Sequence, residues 1–184
     1  MNKTLLLISI LMQVNAVAQF PMNVDTTQYS RSMSDVNGSY ADGVYRYIEN
    51  GDTSFFNGSL YAKYDNGNFQ SWQEYEKGVG EGHWINFYEN GNLKEWGTYI
   101  QNKVEGPIRK YFENGLLKAE GTYREWRVRV GKWTYYDESG KRIKIEDYGV
   151  KGDFRDVVEY YKRGDISKTW YESILEANAK YQEN

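Results

Sequence analysis

GHWINFYENGNLKEWGTYIQNKVEG, residues 82–106, opens and closes on glycine and holds one Asn-Gly pair near its centre. Sliding the chain against itself shows why. GSLYAKYDNGNFQSWQEYEKGVGEG precedes it over residues 58–82, GPIRKYFENGLLKAEGTYREWRVRVG follows over 106–131, and GKWTYYDESGKRIKIEDY begins a fourth copy. Gly67, Gly91, Gly115, Gly140 and Gly164 stand 24, 24, 25 and 24 residues apart, and one period before Gly67 lies Gly43. A fixed period of this size marks an array of supersecondary units stacked on their neighbours.

The Asn-Gly and Asp-Gly pairs at 66–67, 90–91, 114–115 and 42–43 suit a two-residue hairpin turn of type I′, whose two central residues both need positive φ. Each copy therefore reads as a β-hairpin, and the fold class as an all-β, elongated antiparallel meander of ~24-residue repeats. The 18 Tyr and 6 Trp suit pleated strands, and only two prolines interrupt ladder bonding. Such a turn also dictates which residues meet. It predicts Tyr88 opposite Leu93, Tyr64 opposite Phe69, Phe112 opposite Leu117, Tyr161 opposite Ile166, Tyr40 opposite Tyr45 and Asp137 opposite Arg142. On the other face it sets Trp72 against Tyr61, Trp96 against Ile85 and Glu120 against Arg109, with Gly97 beside Trp84 and Gly121 beside Ile108.

The pattern GxWxxFYENGxLKEWGTYxxNKxxG resembles the bacterial variant of the MORN repeat, closely over residues 58–148 and more weakly over 38–57 and 149–172. The resemblance implies a meander of hairpins used as a protein-interaction or lipid-associated module, with no catalytic residues. Some members of that family are labelled antitoxins of toxin–antitoxin pairs.

Outside the repeats, residues 1–18 carry Lys3, an apolar run from Leu5 to Met12 and Ala16-Val17-Ala18, the order of a secretory signal peptide. The apolar run is far short of the ~20 residues that span a bilayer, and no cysteine follows the cleavage site, so the expected product is exported, without a transmembrane segment and not a lipoprotein. Residues 19–37 read as a polar lead-in and 38–172 as the repeat domain. In residues 173–184 and just before them the period turns helical, with Ser167 or Thr169 as cap. A short terminal helix covering the open edge of the last hairpin is the expected end of the array.

Chemistry is sparse. His83 is the only histidine and there is no cysteine, which removes the common zinc sets and the Ser-His and Cys-His pairs. Asp65, Glu89, Glu113 and Glu138 precede successive turns and are spaced about 10 Å apart, too far for a proton-sharing dyad. Gly78, Gly80 and Gly82 lack the Gly-Lys-Ser/Thr and helix of a phosphate loop. Without Lys3 the chain has 22 basic against 26 acidic side chains, a net of −4, which disfavours nucleic acid despite REWRVRVGKW at 124–133. No cofactor or metal is expected. The composition points to a non-enzymatic interaction module of the cell envelope, with Trp72, Trp84, Trp96, Trp126 and Trp133 as candidate anchors for a protein partner. The alternatives are stacking of cell-wall glycan on exposed rings and an antitoxin-like role, which export opposes.

Overall fold

The computed structural model describes residues 30–41, 44–51 and 53–182. The signal-peptide reading and most of the lead-in lie outside these residues. The described residues form eleven strands: β1 (Ser30–Ser32), β2 (Val36–Ala41), β3 (Val44–Glu49), β4 (Gly58–Lys63), β5 (Phe69–Glu76), β6 (Val79–Phe87), β7 (Leu93–Ile100), β8 (Lys103–Tyr111), β9 (Leu117–Arg124), β10 (Val128–Tyr136) and β11 (Arg142–Asp147). Two helices follow, α1 (Arg155–Arg163) and α2 (Lys168–Ala179). Strands β4 to β11 form a continuous antiparallel meander, and β1 adds to its first edge in parallel with β4.

The register away from the turns is the one the sequence predicts. Tyr61 pairs with Trp72, Ile85 with Trp96, Arg109 with Glu120, Trp84 with Gly97 and Ile108 with Gly121. Next to the turns the prediction is off by one residue. Leu93 faces Phe87 rather than Tyr88, Phe69 faces Lys63, Leu117 faces Tyr111 and Arg142 faces Tyr136. The cause is the turn type. Gly91 N–H donates to Tyr88 O and Tyr88 N–H to Asn92 O, which encloses three residues, and Gly91 alone of the three has positive φ (86°). That is the three-residue loop with a glycine bulge. A second bulge then leaves Gln70, Lys94, Lys118 or Ile143 unpaired and exposed, and so restores the predicted pairing beyond it. Asp137 accordingly turns its carboxylate to the Ser139 and Lys141 amides and not to Arg142.

Type I′ geometry occurs at the opposite edge. Lys77 and Gly78 (φ 50° and 75°) and Gln101 and Asn102 (φ 50° and 65°) are the paired positive-φ residues between β5 and β6 and between β7 and β8. Glu125, Trp126 and Arg127 make the corresponding turn one residue longer, which is the origin of the single 25-residue spacing. Gly82, Gly106 and Gly131 take positive φ where the ladder shifts inside β6, β8 and β10. The glycines that open and close the quoted stretch are thus bulge residues.

Successive loops hold one another. Asn66 and Asn68 both donate to Glu89 O, Asn90 and Asn92 to Glu113 O, and Asn114 to Glu138 O. Tyr64 and Tyr88 hydroxyls donate to Phe87 O and Tyr111 O one repeat on. The Tyr-x-Asn-Gly motif is therefore a stacking device as well as a turn.

Four expectations at the ends need correction. The β2–β3 hairpin keeps the predicted Tyr40–Tyr45 pairing but forms its own two-stranded sheet, and Val36, Phe56, Leu60 and Tyr75 make a small core beneath it. The lead-in is structured from Ser30, because β1 pairs with β4. The segment around Gly164 is helical: Gly164 (φ 80°) caps α1, its N–H reaching Tyr161 O while Asp165 N–H reaches Tyr160 O. Glycine in the left-handed region serves a hairpin and a helix end equally, so its position in the period does not separate them. α2 begins at Lys168, capped by Ser167 Oγ as anticipated. Neither helix covers the sheet edge. Both join the main core, where Val157, Ile166 and Ile174 meet Trp84, Ile108, Tyr123 and Trp133.

The alternation of strands thus yields a covered face and a helix-free face. On the covered face a row reads Leu60, Gln73, Trp84, Gly97, Ile108, Gly121 and Trp133 across the sheet. The indoles occupy the space above the glycines: a Cβ on Gly97 would lie 2.9 Å from Trp84, and one on Gly121 would lie 2.2 Å from Trp133. Gly121→Ala should lower stability by about 1–3 kcal/mol through overpacking. In a Trp133→Leu background the same substitution should cost little, a coupling measurable by urea unfolding of the four chains.

Candidate binding face and buried ionic cluster

The five candidate tryptophans do not share a surface. Trp84 and Trp133 are core residues of the covered face, each 1% exposed, donating Nε1–H to Thr98 O and Thr122 O at 3.2 Å. Trp126 is buried in the long turn, edge-on to Tyr160 and against Trp170. These three cannot anchor a partner while the fold is intact. Trp72 lies on the helix-free face, yet it is only 4% exposed. Its Nε1 is the one buried side-chain donor among the described residues without a hydrogen-bond partner. Trp96, on the same face, is half-buried. The sixth tryptophan, Trp170 on α2, is the exposed one at 42%. Composition singles out ring size, whereas strand parity decides which ring faces solvent.

The helix-free face carries two runs of side chains in contact. Tyr61 meets Phe69 edge to face at 5.6 Å, and Phe69 meets Phe87 at 6.3 Å. Lys63 Nζ sits 5.0 Å from the Phe69 ring centre. Further along, the Arg109 guanidinium lies 5.9 Å over Trp96, whose Nε1 donates to Tyr111 Oη at 3.2 Å. Arg109 Nε donates to Glu120 at 3.1 Å, and Tyr136 Oη donates to the other Glu120 oxygen at 2.9 Å. Burial and Glu120 together hold the Tyr136 phenol above its ordinary pKa, so it remains a donor. The row is half-exposed, amphipathic and pre-organised.

The covered face contains the second cluster. Asp156, in the first turn of α1, accepts hydrogen bonds from both Arg129 Nε and Nη2 and from the Tyr123 hydroxyl, and Lys110 Nζ stands 3.6 Å away. Arg127, buried by the extra turn residue, faces Glu95 at 3.5 Å and lies 5.1 Å over Trp84 and 4.8 Å over Tyr160. Burial alone would raise the Asp156 carboxyl, but Arg129, Lys110 and Tyr123 outweigh it and hold the pKa at about 2. Glu95 is likewise pushed up by burial and drawn down overall by Arg127 and Lys110. Burial lowers the Lys110 ammonium. Both carboxylates are thus ionised and paired at neutral pH. The arrangement clamps α1 to β8, β9 and β10.

His83 Nδ1 lies 2.9 Å from Glu74, and among the described residues no group of three or more His, Cys, Asp or Glu side chains is placed to hold a metal ion. No described helix is long and apolar enough to cross a membrane. Comparison with family models, curated proteins and solved structures finds no match to this chain.

Because the folded pKa of Asp156 is below its ordinary 3.8, its stabilisation is present above that value and is lost as pH falls toward about 2. Asp156→Asn should cost about 3 kcal/mol at neutral pH by leaving Arg129 and Lys110 partly unpaired. It should also remove the part of the acid-unfolding profile between pH 3.8 and about 2, followed by circular dichroism.

Proposed function

We propose that this chain is a non-enzymatic interaction module that binds another protein through the helix-free face of its sheet. The observation that carries this reading is the pair of side-chain runs on that face, Tyr61, Phe69 and Phe87 and then Trp96, Arg109, Glu120 and Tyr136, because ordered rings beside fixed charges are what interface hot spots are made of. The leader-like residues 1–18 make the setting the cell envelope or the exterior. The resemblance of the repeat to the MORN variant agrees with an interaction role and rests on the repeat residues alone.

A second reading is binding of cell-wall glycan. The half-exposed Trp96 and Tyr61, flanked by hydrogen-bonding side chains, favour it, since a sugar needs a ring to stack on and polar groups at its rim.

The two readings separate by site-specific photocross-linking in the native host. A photoreactive residue at Phe69 or Trp96 should yield a discrete protein adduct, while one at Leu175 on α2 should not. Equal adducts at all three positions, or none at Phe69 and Trp96, reject the protein reading. Saturable quenching of tryptophan fluorescence by cell-wall fragments, lost in Trp96→Ala, would identify glycan instead.

A further inference from the structure

β11 ends the sheet, and no described strand pairs with its outer side. Its residues Arg142, Ile143, Lys144, Ile145 and Asp147 are exposed, Ile143 at 61% and Ile145 at 53%. A partly apolar edge of this kind is a template for another strand, and natural sheets usually blunt it with charges, proline, a bulge or a cover; here the bulge at Ile143 leaves Lys144 to Asp147 as the regular part of the strand. Lys144 is ion-paired with Glu146 two residues along the same strand, and Glu146 also meets Arg155 of α1 at 3.7 Å and accepts from the Tyr148 hydroxyl.

The order of charges states which strand fits. Lys141, Arg142 and Lys144 precede Ile145, and Glu146 and Asp147 follow it. An antiparallel partner must therefore be acidic where this strand is basic and basic where it is acidic, which is the same strand reversed. Backbone alternation then selects the register. Tyr148 N–H donates to Gly131 O on β10, so two and four residues earlier Glu146 and Lys144 also bond inward, and Ile145 turns its N–H and C=O outward.

We infer that β11 pairs antiparallel with β11 of a second copy of this chain, with Ile145 on the two-fold axis, joining the two sheets into one. Centred on Ile145, the pairing lets its N–H and C=O exchange hydrogen bonds with their symmetry mates. Lys144 of each copy then falls opposite Glu146 of the other. Centring on Lys144 or on Glu146 would set like charges directly opposite, which destabilises a ladder. The two-fold runs perpendicular to the sheet, so both helix-free faces point the same way and the surface for a partner is doubled. The interface is a few residue pairs long and hence weak and concentration-dependent.

The chain has no cysteine, so a single introduced thiol reports the contact without background. In a directly hydrogen-bonded antiparallel pair the Cα atoms lie about 5.5 Å apart, within disulfide reach. Under mild oxidation of the full chain, Ile145→Cys should give a disulfide dimer on non-reducing gels, and Ser139→Cys, in the exposed neighbouring turn, should give little. Adding Lys144→Glu to Ile145→Cys should cut the dimer share about tenfold, the ratio that ~1.4 kcal/mol gives. Circular dichroism of each variant establishes that the sheet is retained. Equal dimer from both thiols, no dimer from Ile145→Cys, a yield indifferent to Lys144→Glu, or attachment of Ile145→Cys to a different protein in the host would each overturn the proposal.

Discussion

Glycine in the left-handed region, recurring at two phases of one period, is the constraint on which the rest of this molecule depends. Gly67, Gly91, Gly115 and Gly140 close three-residue loops at one edge, and Gly82, Gly106 and Gly131 open bulges within alternate strands. Each bulge adds local twist, and each shifts the ladder by a set amount. Because side chains alternate faces with every residue, these shifts decide which residues face the helices and which face away. Trp84 and Trp133 reach the core, and Trp96 reaches the open side, through this arithmetic and not through any difference in their chemistry.

The second organising feature is the insertion that lengthens one turn. Glu125, Trp126 and Arg127 all hold positive φ, a conformation that costs roughly 1–2 kcal/mol per non-glycine residue. It persists because Trp126 is locked against Tyr160 and Trp170, and because Arg127 is taken into the core opposite Glu95. The same segment presents Arg129 to Asp156, so a local departure from the repeat creates the seat for the helices. The helices cover one face and leave the other open to a partner. Architecture and the proposed binding surface are thus consequences of one irregular turn in an otherwise regular array.

Edges and faces pose separate problems for such an array. The first edge is extended by β1, and the hairpin β2–β3 protects a small core nearby. The last edge is left as a strand whose charges complement its own reversal, which makes association between copies specific where a neutral edge would aggregate. α1 is instead held on the face by the ionic clamp at Asp156, and α2 joins the core there through Ile174.

By itself the sequence determined the repeat, its hairpin nature and the deep register, because a 24-residue period with turn glycines and the complementary pair Arg109–Glu120 admit few other solutions. Ser167 as a cap was legible for the same reason: capping is local chemistry. The turn type was not legible, since Asn-Gly suits both a two-residue loop and a three-residue loop with a glycine bulge. α1 was hidden because Gly164 kept the phase of the array while serving a helix. Which tryptophans are buried was decided only in three dimensions, by strand parity and by what packs on each face. The ionic cluster was likewise invisible in advance: Glu95, Lys110, Arg127, Arg129 and Asp156 come from three strands, a turn and a helix, and only their convergence in a desolvated space makes their pairing obligatory.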